Sequence, residues 1–143
     1  MVKKNKYLIR EVGIDDYNQM IELWKCTAGI GLSDADSKSY IGEFLKRNPG
    51  LSFVCVKDRK IVGTVLCGHD SRRGYIYHLA VDKIFRKQGI GKALMAQSLE
   101  RLRKQGVTKC HLFLYNDNES AIQFYEKTGW KRRDNLLIYS KDL

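Results

Sequence analysis

Val81-Asp82-Lys83-Ile84-Phe85-Arg86-Lys87-Gln88-Gly89-Ile90-Gly91-Lys92-Ala93-Leu94 carries the clearest structural signal in the chain. It is the end of an apolar strand, a turn carrying two glycines, and the start of a helix. The first N–H groups of a helix lack intrahelical partners and carry partial positive charge. Glycine lets the oxygens of another molecule approach that backbone closely. Arg86, Lys87 and Lys92 add full charges. A turn so built suits a pyrophosphate.

Two better-known phosphate loops do not fit. A P-loop needs Ser or Thr after Gly-Lys, and Ala93 follows Gly91-Lys92; its first glycine falls on Arg86. A dinucleotide fingerprint needs a third glycine where Leu94 stands.

Outward from the turn, hydrophobic periodicity sets the elements. Upstream, a strand is expected over residues 7–12. A helix follows Asp15 and Asp16, with Tyr17, Met20, Ile21 and Trp24 at helical spacing. A second helix is expected over 37–46, ending at Asn48-Pro49-Gly50. Residues 51–57 and 61–67 read as strands joined by a turn at Asp58-Arg59-Lys60, and 75–81 as a third strand of the meander. Downstream, 90–105 is an amphipathic helix stopped by Gly106, and 109–115 a strand. Asn118 caps a helix running to Lys127, and strand character returns at 136–139. This order is an α+β layout with a mixed sheet. Without repeats or Pro/Ser-rich linkers, residues 1–143 read as a single domain.

Arg86-x-x-Gly89-x-Gly91 after an apolar strand resembles the acetyl-CoA signature of the GNAT acetyltransferase superfamily, Q/R-x-x-G-x-G/A. Downstream, Asn118-Glu119-Ser120-Ala121-Ile122-Gln123-Phe124-Tyr125-Glu126-Lys127-Thr128-Gly129-Trp130 resembles its second signature, N-x-x-A-x-x-F-Y-x-x-x-G-F, with Trp for the last Phe. The loop 68–74 and the strand after it resemble a little-described bacterial branch. The resemblance implies a three-layer αβα fold around a mixed, mostly antiparallel sheet, splayed where acetyl-CoA enters. It implies acetyl transfer from acetyl-CoA to a primary amine by direct attack in a ternary complex. The alternative is a noncatalytic acyl-CoA-binding or sensing domain of the same fold.

Residue by residue, the resemblance gives the backbone of Leu79, Ala80 and Val81 to the pantetheine arm, beside a bulge. It gives Arg86, Lys87, Gln88, Gly89, Ile90, Gly91 and Lys92 to the pyrophosphate. Asn118 would contact the pantetheine arm, and serves equally as a helix N-cap. Tyr125 would donate a proton to the leaving thiolate, a phenol near pKa ~10 facing a thiol near ~8.5. Without that context it would read as an ordinary core tyrosine.

The base is where the family pattern gives out. Family carboxylate and histidine positions fall here on Tyr75, Tyr77 and Phe113. His78 is the nearest titratable candidate, although strand alternation would turn it to the face opposite Tyr77 unless a bulge intervenes. Asp70, and a water chain ending on a backbone carbonyl, are the other candidates. The base matters most for a lysine acceptor, only about 0.04% neutral at pH 7. Asp34 and Asp36, in the stretch expected to border the acceptor, could attract a cationic amine, although aspartates in a polar loop usually are solvated or cap a helix.

With 43% hydrophobic and 29% charged residues, the chain has the composition of a compact domain rather than a disordered one. No apolar run approaches the ~18 residues of a membrane span, and the basic start MVKKNKYLIR lacks the marks of a signal peptide. Cys26, Cys55, Cys67 and Cys110 form no C-x-x-C pair and read as buried free thiols. No metal is expected, and the compartment expected is the cytoplasm. The net charge of +10 fits an anionic ligand. Phe113, Tyr115, Phe124 and Tyr125 read as core and site aromatics rather than a stacking platform, so nucleic acid is not expected as a partner. The acceptor would be a small-molecule, peptide or protein amine. Dimers are common in the family, so a homodimer is among the assemblies the resemblance allows.

Overall fold

A computed structural model describes residues 6–143; the basic start at Met1–Asn5 lies outside the described residues. The chain forms two compact units, one ending at Phe113 and the other Leu114–Leu143.

The larger unit is built on a five-stranded sheet of β1 (Leu8–Glu11), β2 (Phe53–Lys57), β3 (Lys60–His69), β4 (Gly74–Val81) and β5 (Cys110–Leu112), neighbours in chain order. The first three pairings are antiparallel and β4–β5 is parallel, so the sheet is mixed and mostly antiparallel, as expected. The β2–β3 hairpin turns on Asp58 and Arg59, at φ 49° and 64°, the positive pair that a two-residue turn requires.

Helices α1 (Tyr17–Lys25) and α2 (Lys38–Arg47) cover one face. Their apolar residues Met20, Trp24 and Ile41 are buried in one cluster with Val54, Ile61, Leu66 and Ala80 of the sheet. Helix α3 (Ile90–Lys104) covers the other face, close enough that a Cβ on Gly63 would lie 2.9 Å from Leu94 Cδ1. That approach explains a glycine in the middle of the longest strand. Ser98 of α3 is fully buried, and its hydroxyl donates to Leu51 O at 2.7 Å.

The smaller unit carries α4 (Glu119–Lys127). The Asn118 side chain accepts from Ala121 N at its start, and Gly129 (φ 97°) follows its end.

Four expectations are corrected. Residues 136–139 form no strand: the segment joins no ladder, and Leu137 is 82% exposed, so its β-branched and aromatic character finds no partner strand. The strand expected over 109–115 is only Cys110–Leu112, because its pairing with β4 ends at Ile76–Leu112. Cys26 is exposed rather than buried, lying one residue past the apolar face of α1 as its C-cap; Cys55 and Cys67 are buried and Cys110 partly so. Phe113 and Tyr115 are exposed, each more than half accessible.

One buried polar chain ties the layers together. Trp24 Nε1 donates to Thr64 Oγ1 at 2.9 Å, and that hydroxyl donates to His78 O at 2.8 Å. Thr64→Val, nearly isosteric, leaves the indole N–H and the His78 carbonyl without their partner. It should lower stability by about 1–3 kcal/mol in urea denaturation; an unchanged midpoint would show that the chain contributes nothing net.

Candidate active site

The second half of β4 is the structural centre of the site. It pairs with β5 only at Gly74, Tyr75 and Ile76; from Tyr77 to Val81 that side of the strand has no β5 partner. The sheet is therefore splayed where the sequence resemblance required it.

On the β3 side the register slips. Leu66 faces Tyr77 and Thr64 faces Ala80, so two steps on β3 match three on β4. The extra residue makes a bulge, and His78 within it takes φ 47°, the left-handed region that a histidine enters at a cost of about 1–2 kcal/mol. The bulge changes the phase of the strand. Tyr77 packs edge-on to Phe44 of α2 (centroids 5.9 Å), and His78 packs on Trp24 of α1 (4.7 Å). Both side chains thus point to the α1/α2 face. Plain alternation, which would have separated them, is overturned by one inserted residue.

His78 is also held from the opposite loop. Its Nε2 lies 2.6 Å from Oδ1 of Asp36, in the 3-10 turn Asp34–Asp36 between α1 and α2. The other carboxylate oxygen, Oδ2, accepts from Ser33 N at 3.0 Å, and Tyr17 OH donates to Asp36 O at 2.6 Å. Asp36 is therefore a buried residue held by three contacts, two at its carboxylate and one at its backbone carbonyl, not a solvated charge for attracting amines. No spacing rule joins residues 36 and 78, 42 positions apart, so this partnership was not legible in the sequence.

Asp70, the other side chain named as a candidate base, and the nearby His69 have structural duties. Asp70 Oδ1 accepts from the amides of Arg72 and Arg73, an Asx-type turn, and those bonds, Arg73 first, hold its carboxyl below the ordinary range. His69 accepts from Ser71 N at Nδ1 and bonds Gln105 Oε1 through Nε2.

The phosphate turn follows β4 directly. Asp82 caps a short 3-10 turn, Lys83–Phe85, and Arg86 Nε donates back to Val81 O at 3.1 Å. Lys87 (φ 62°) and Gly89 (φ 81°) are both left-handed, and Gly89 is the N-cap of α3 without a side-chain cap. A Cβ on Gly89 would meet nothing within 4 Å, so the approach to the helix start is open. Arg86, Lys87, Gln88 and Lys92 are exposed, while Ile90 turns into the core and offers only its backbone. The structure thus brings Leu79, Ala80, Val81 and the 86–92 turn together in one unit. Gln88, between the two left-handed residues, is part of the same exposed turn.

Asn118 and Tyr125 lie on the smaller unit. Asn118 is the N-cap of α4, the role its sequence context allowed. Tyr125 sits edge-on to Phe124 (5.2 Å) and Trp130 (5.9 Å), and burial pushes its phenol up to about 12.

With this geometry in view, comparison with known proteins is unambiguous. The description "Acetyltransferase (GNAT) family" matches residues 17–130, a span crossing both units, and the chain belongs to that family. An acetyltransferase of Pectobacterium atrosepticum is 34% identical over 125 residues, 87% of each chain. One from Sodalis glossinidius is 31% identical over 136 residues, 94% of each chain. Both are bacterial, in keeping with the branch that the loop resembled. The paia N-acetyltransferase of Thermoplasma acidophilum, solved with coenzyme A, has the same fold, with a TM-score of 0.79 and 23% identity over 90% of this chain and 92% of its own. Among the described residues, no helix is long and apolar enough to cross a membrane.

The Tyr125 phenol has its ordinary value near 10 raised on folding, so the unfolded chain ionises first as pH climbs. Its contribution to stability is complete below pH 10 and is lost on passing through about 12. Tyr125→Phe should flatten the fall of stability across that window, read as melting temperature against pH. An identical slope in the variant would place the phenol in contact with water.

Proposed function

We propose that this acetyltransferase moves the acetyl group of acetyl-CoA to a primary amine by direct attack in a ternary complex, and that residues 1–143 act as one catalytic domain. The observation that carries the reading is the unpaired half of β4 leading into the uncapped, glycine-marked start of α3. An open strand edge and an open helix start, in sequence, fit an elongated ligand with an amide-bearing arm and a pyrophosphate. The coenzyme A bound by the Thermoplasma protein of the same fold supports that identity.

In this reading the Leu79–Val81 backbone lies along the pantetheine arm as an added strand would. The α3 amides and the charges of Arg86, Lys87 and Lys92 take the pyrophosphate, and Asn118 assists at the arm. The amine nitrogen forms a bond to the acetyl carbon as the carbon–sulfur bond breaks. Tyr125 donates a hydrogen bond to the departing sulfur. Burial pushes the phenol up to about 12, so it stays neutral and keeps its proton for that hydrogen bond. Its service is therefore to stabilise the thiolate while water supplies the final proton, a softer role than general acid.

Calorimetric titration with acetyl-CoA, against CoA and ATP, tests the ligand. Thiol release in the presence of spermidine, an aminoglycoside, a lysine peptide and a peptide with a free α-amine tests the reaction. Acetyl-CoA should bind more tightly than ATP, and at least one amine should turn over. Binding without turnover by any of them would favour an acyl-CoA-binding domain.

Gly89→Asp puts a Cβ at φ 81° and a carboxylate where phosphates would approach. Acetyl-CoA affinity should fall at least tenfold, or ~1.4 kcal/mol; a folded variant of unchanged affinity would remove the turn from the site. Tyr125→Phe should keep that affinity while kcat falls about 10- to 100-fold. Unaltered kcat would take the phenol out of the reaction.

A further inference from the structure

We infer that His78 is the general base that takes the proton from the incoming amine, and that Asp36 is the positioning residue that holds it in the working tautomer. The inference rests on the acetyl-transfer reading above and names the group that the family pattern left open.

A carboxylate can only accept, so a ring nitrogen 2.6 Å from Asp36 Oδ1 carries its hydrogen. With the proton on Nε2, the neutral imidazole keeps its lone pair on Nδ1. Nδ1 has no hydrogen-bond partner among the described residues, and no buried side-chain nitrogen or oxygen among them is without one, so Nδ1 reaches solvent. This is the arrangement of an oriented base: one nitrogen fixed by a third group, the other open. The carboxylate is itself immobilised by Ser33 N and the Asp36 backbone by Tyr17.

Placement agrees with the role. His78 stands two residues beyond the last β4–β5 pair, where the splay opens, and immediately before the Leu79–Val81 edge. The strained backbone there is held by Thr64 beneath the carbonyl and Trp24 against the ring.

Nδ1 accepts a proton from the ammonium group of the acceptor. The freed nitrogen lone pair attacks the acetyl carbon, and the second nitrogen proton leaves to water as the carbon–sulfur bond breaks. The thiolate is protonated from water, and the imidazolium returns its proton to solvent. The net products are the amide, CoA and one proton.

The groups facing His78 are Asp36 from the loop, Trp24 from α1 and Thr64 from β3; Tyr77 adjoins it in β4, and Tyr17 bonds the Asp36 carbonyl. Of those that touch the ring, only Asp36 carries an ionisable group, so the acid limb of the rate profile reports the pair.

The test uses His78→Asn and Asp36→Asn. Asparagine tolerates φ 47° and cannot accept a proton, and the second change keeps the carboxylate's shape. Each is assayed with acetyl-CoA and two nucleophiles: the amine that turns over best in the screen above, and hydroxylamine, already largely neutral at pH 7. Acetyl-CoA affinity and melting temperature serve as checks on folding. Both variants should bind acetyl-CoA as before. His78→Asn should lose about 10²-fold or more in kcat/KM with the amine, below 10-fold with hydroxylamine, and its acid limb. Asp36→Asn should shift that limb. Equal losses with both nucleophiles, or none, would overturn the proposal and leave acetyl transfer standing. A wild-type protein that acetylates neither nucleophile would overturn acetyl transfer itself, and the base with it.

Discussion

Everything at the centre of this structure depends on one extra residue in β4. The bulge at His78 sets the register of Ala80 and Val81 against β3, turns the imidazole to the helical face, and precedes the unpaired strand edge. A left-handed histidine is held there because three independent contacts over-determine it: the Thr64 hydroxyl on its carbonyl, the Trp24 ring on its side chain, and the Asp36 carboxylate on its Nε2. These come from β3, α1 and the α1–α2 loop, so the sheet and the α1/α2 layer converge on a single backbone distortion.

The phosphate turn shows the same economy of means. Two left-handed residues, Lys87 and Gly89, bring the chain from the end of β4 to the first turn of α3 without a side chain over the helix start. Only one of the two is glycine, and it is the one at the N-cap, where a carboxylate or hydroxyl would ordinarily stand. Ile90 anchors that turn from beneath, fully packed, so the exposed amides rest on a rigid helix rather than a loose loop.

The fold and the turn were legible because they follow from short-range signals. Two glycines at fixed offset, apolar periodicity in residues 90–105 and the Asn118 cap each speak within a few residues of chain. The start of α1 and the bounds of α2, α3 and α4 accordingly fall close to where they were read, while α1 ends at Lys25, short of the Gly29 and Gly31 expected to close it. The His78–Asp36 pair was not legible, because it needs both a register slip and a contact across 42 residues. Residues 136–139 failed for the opposite reason: β character is a local property, but a strand exists only with a partner. Cys26 likewise has an apolar neighbourhood in sequence and a helix end in space.

The left-handed backbone at residue 78 also constrains how this protein can diverge. Besides glycine, histidine, asparagine and aspartate are the residues that accept such a conformation most readily. The codons of those three differ only in their first base. One mutational step can therefore exchange an imidazole for an amide or a carboxylate while leaving the strand distortion in place. Descendants of such a gene could try different chemistries at this corner of the sheet without first rebuilding the sheet.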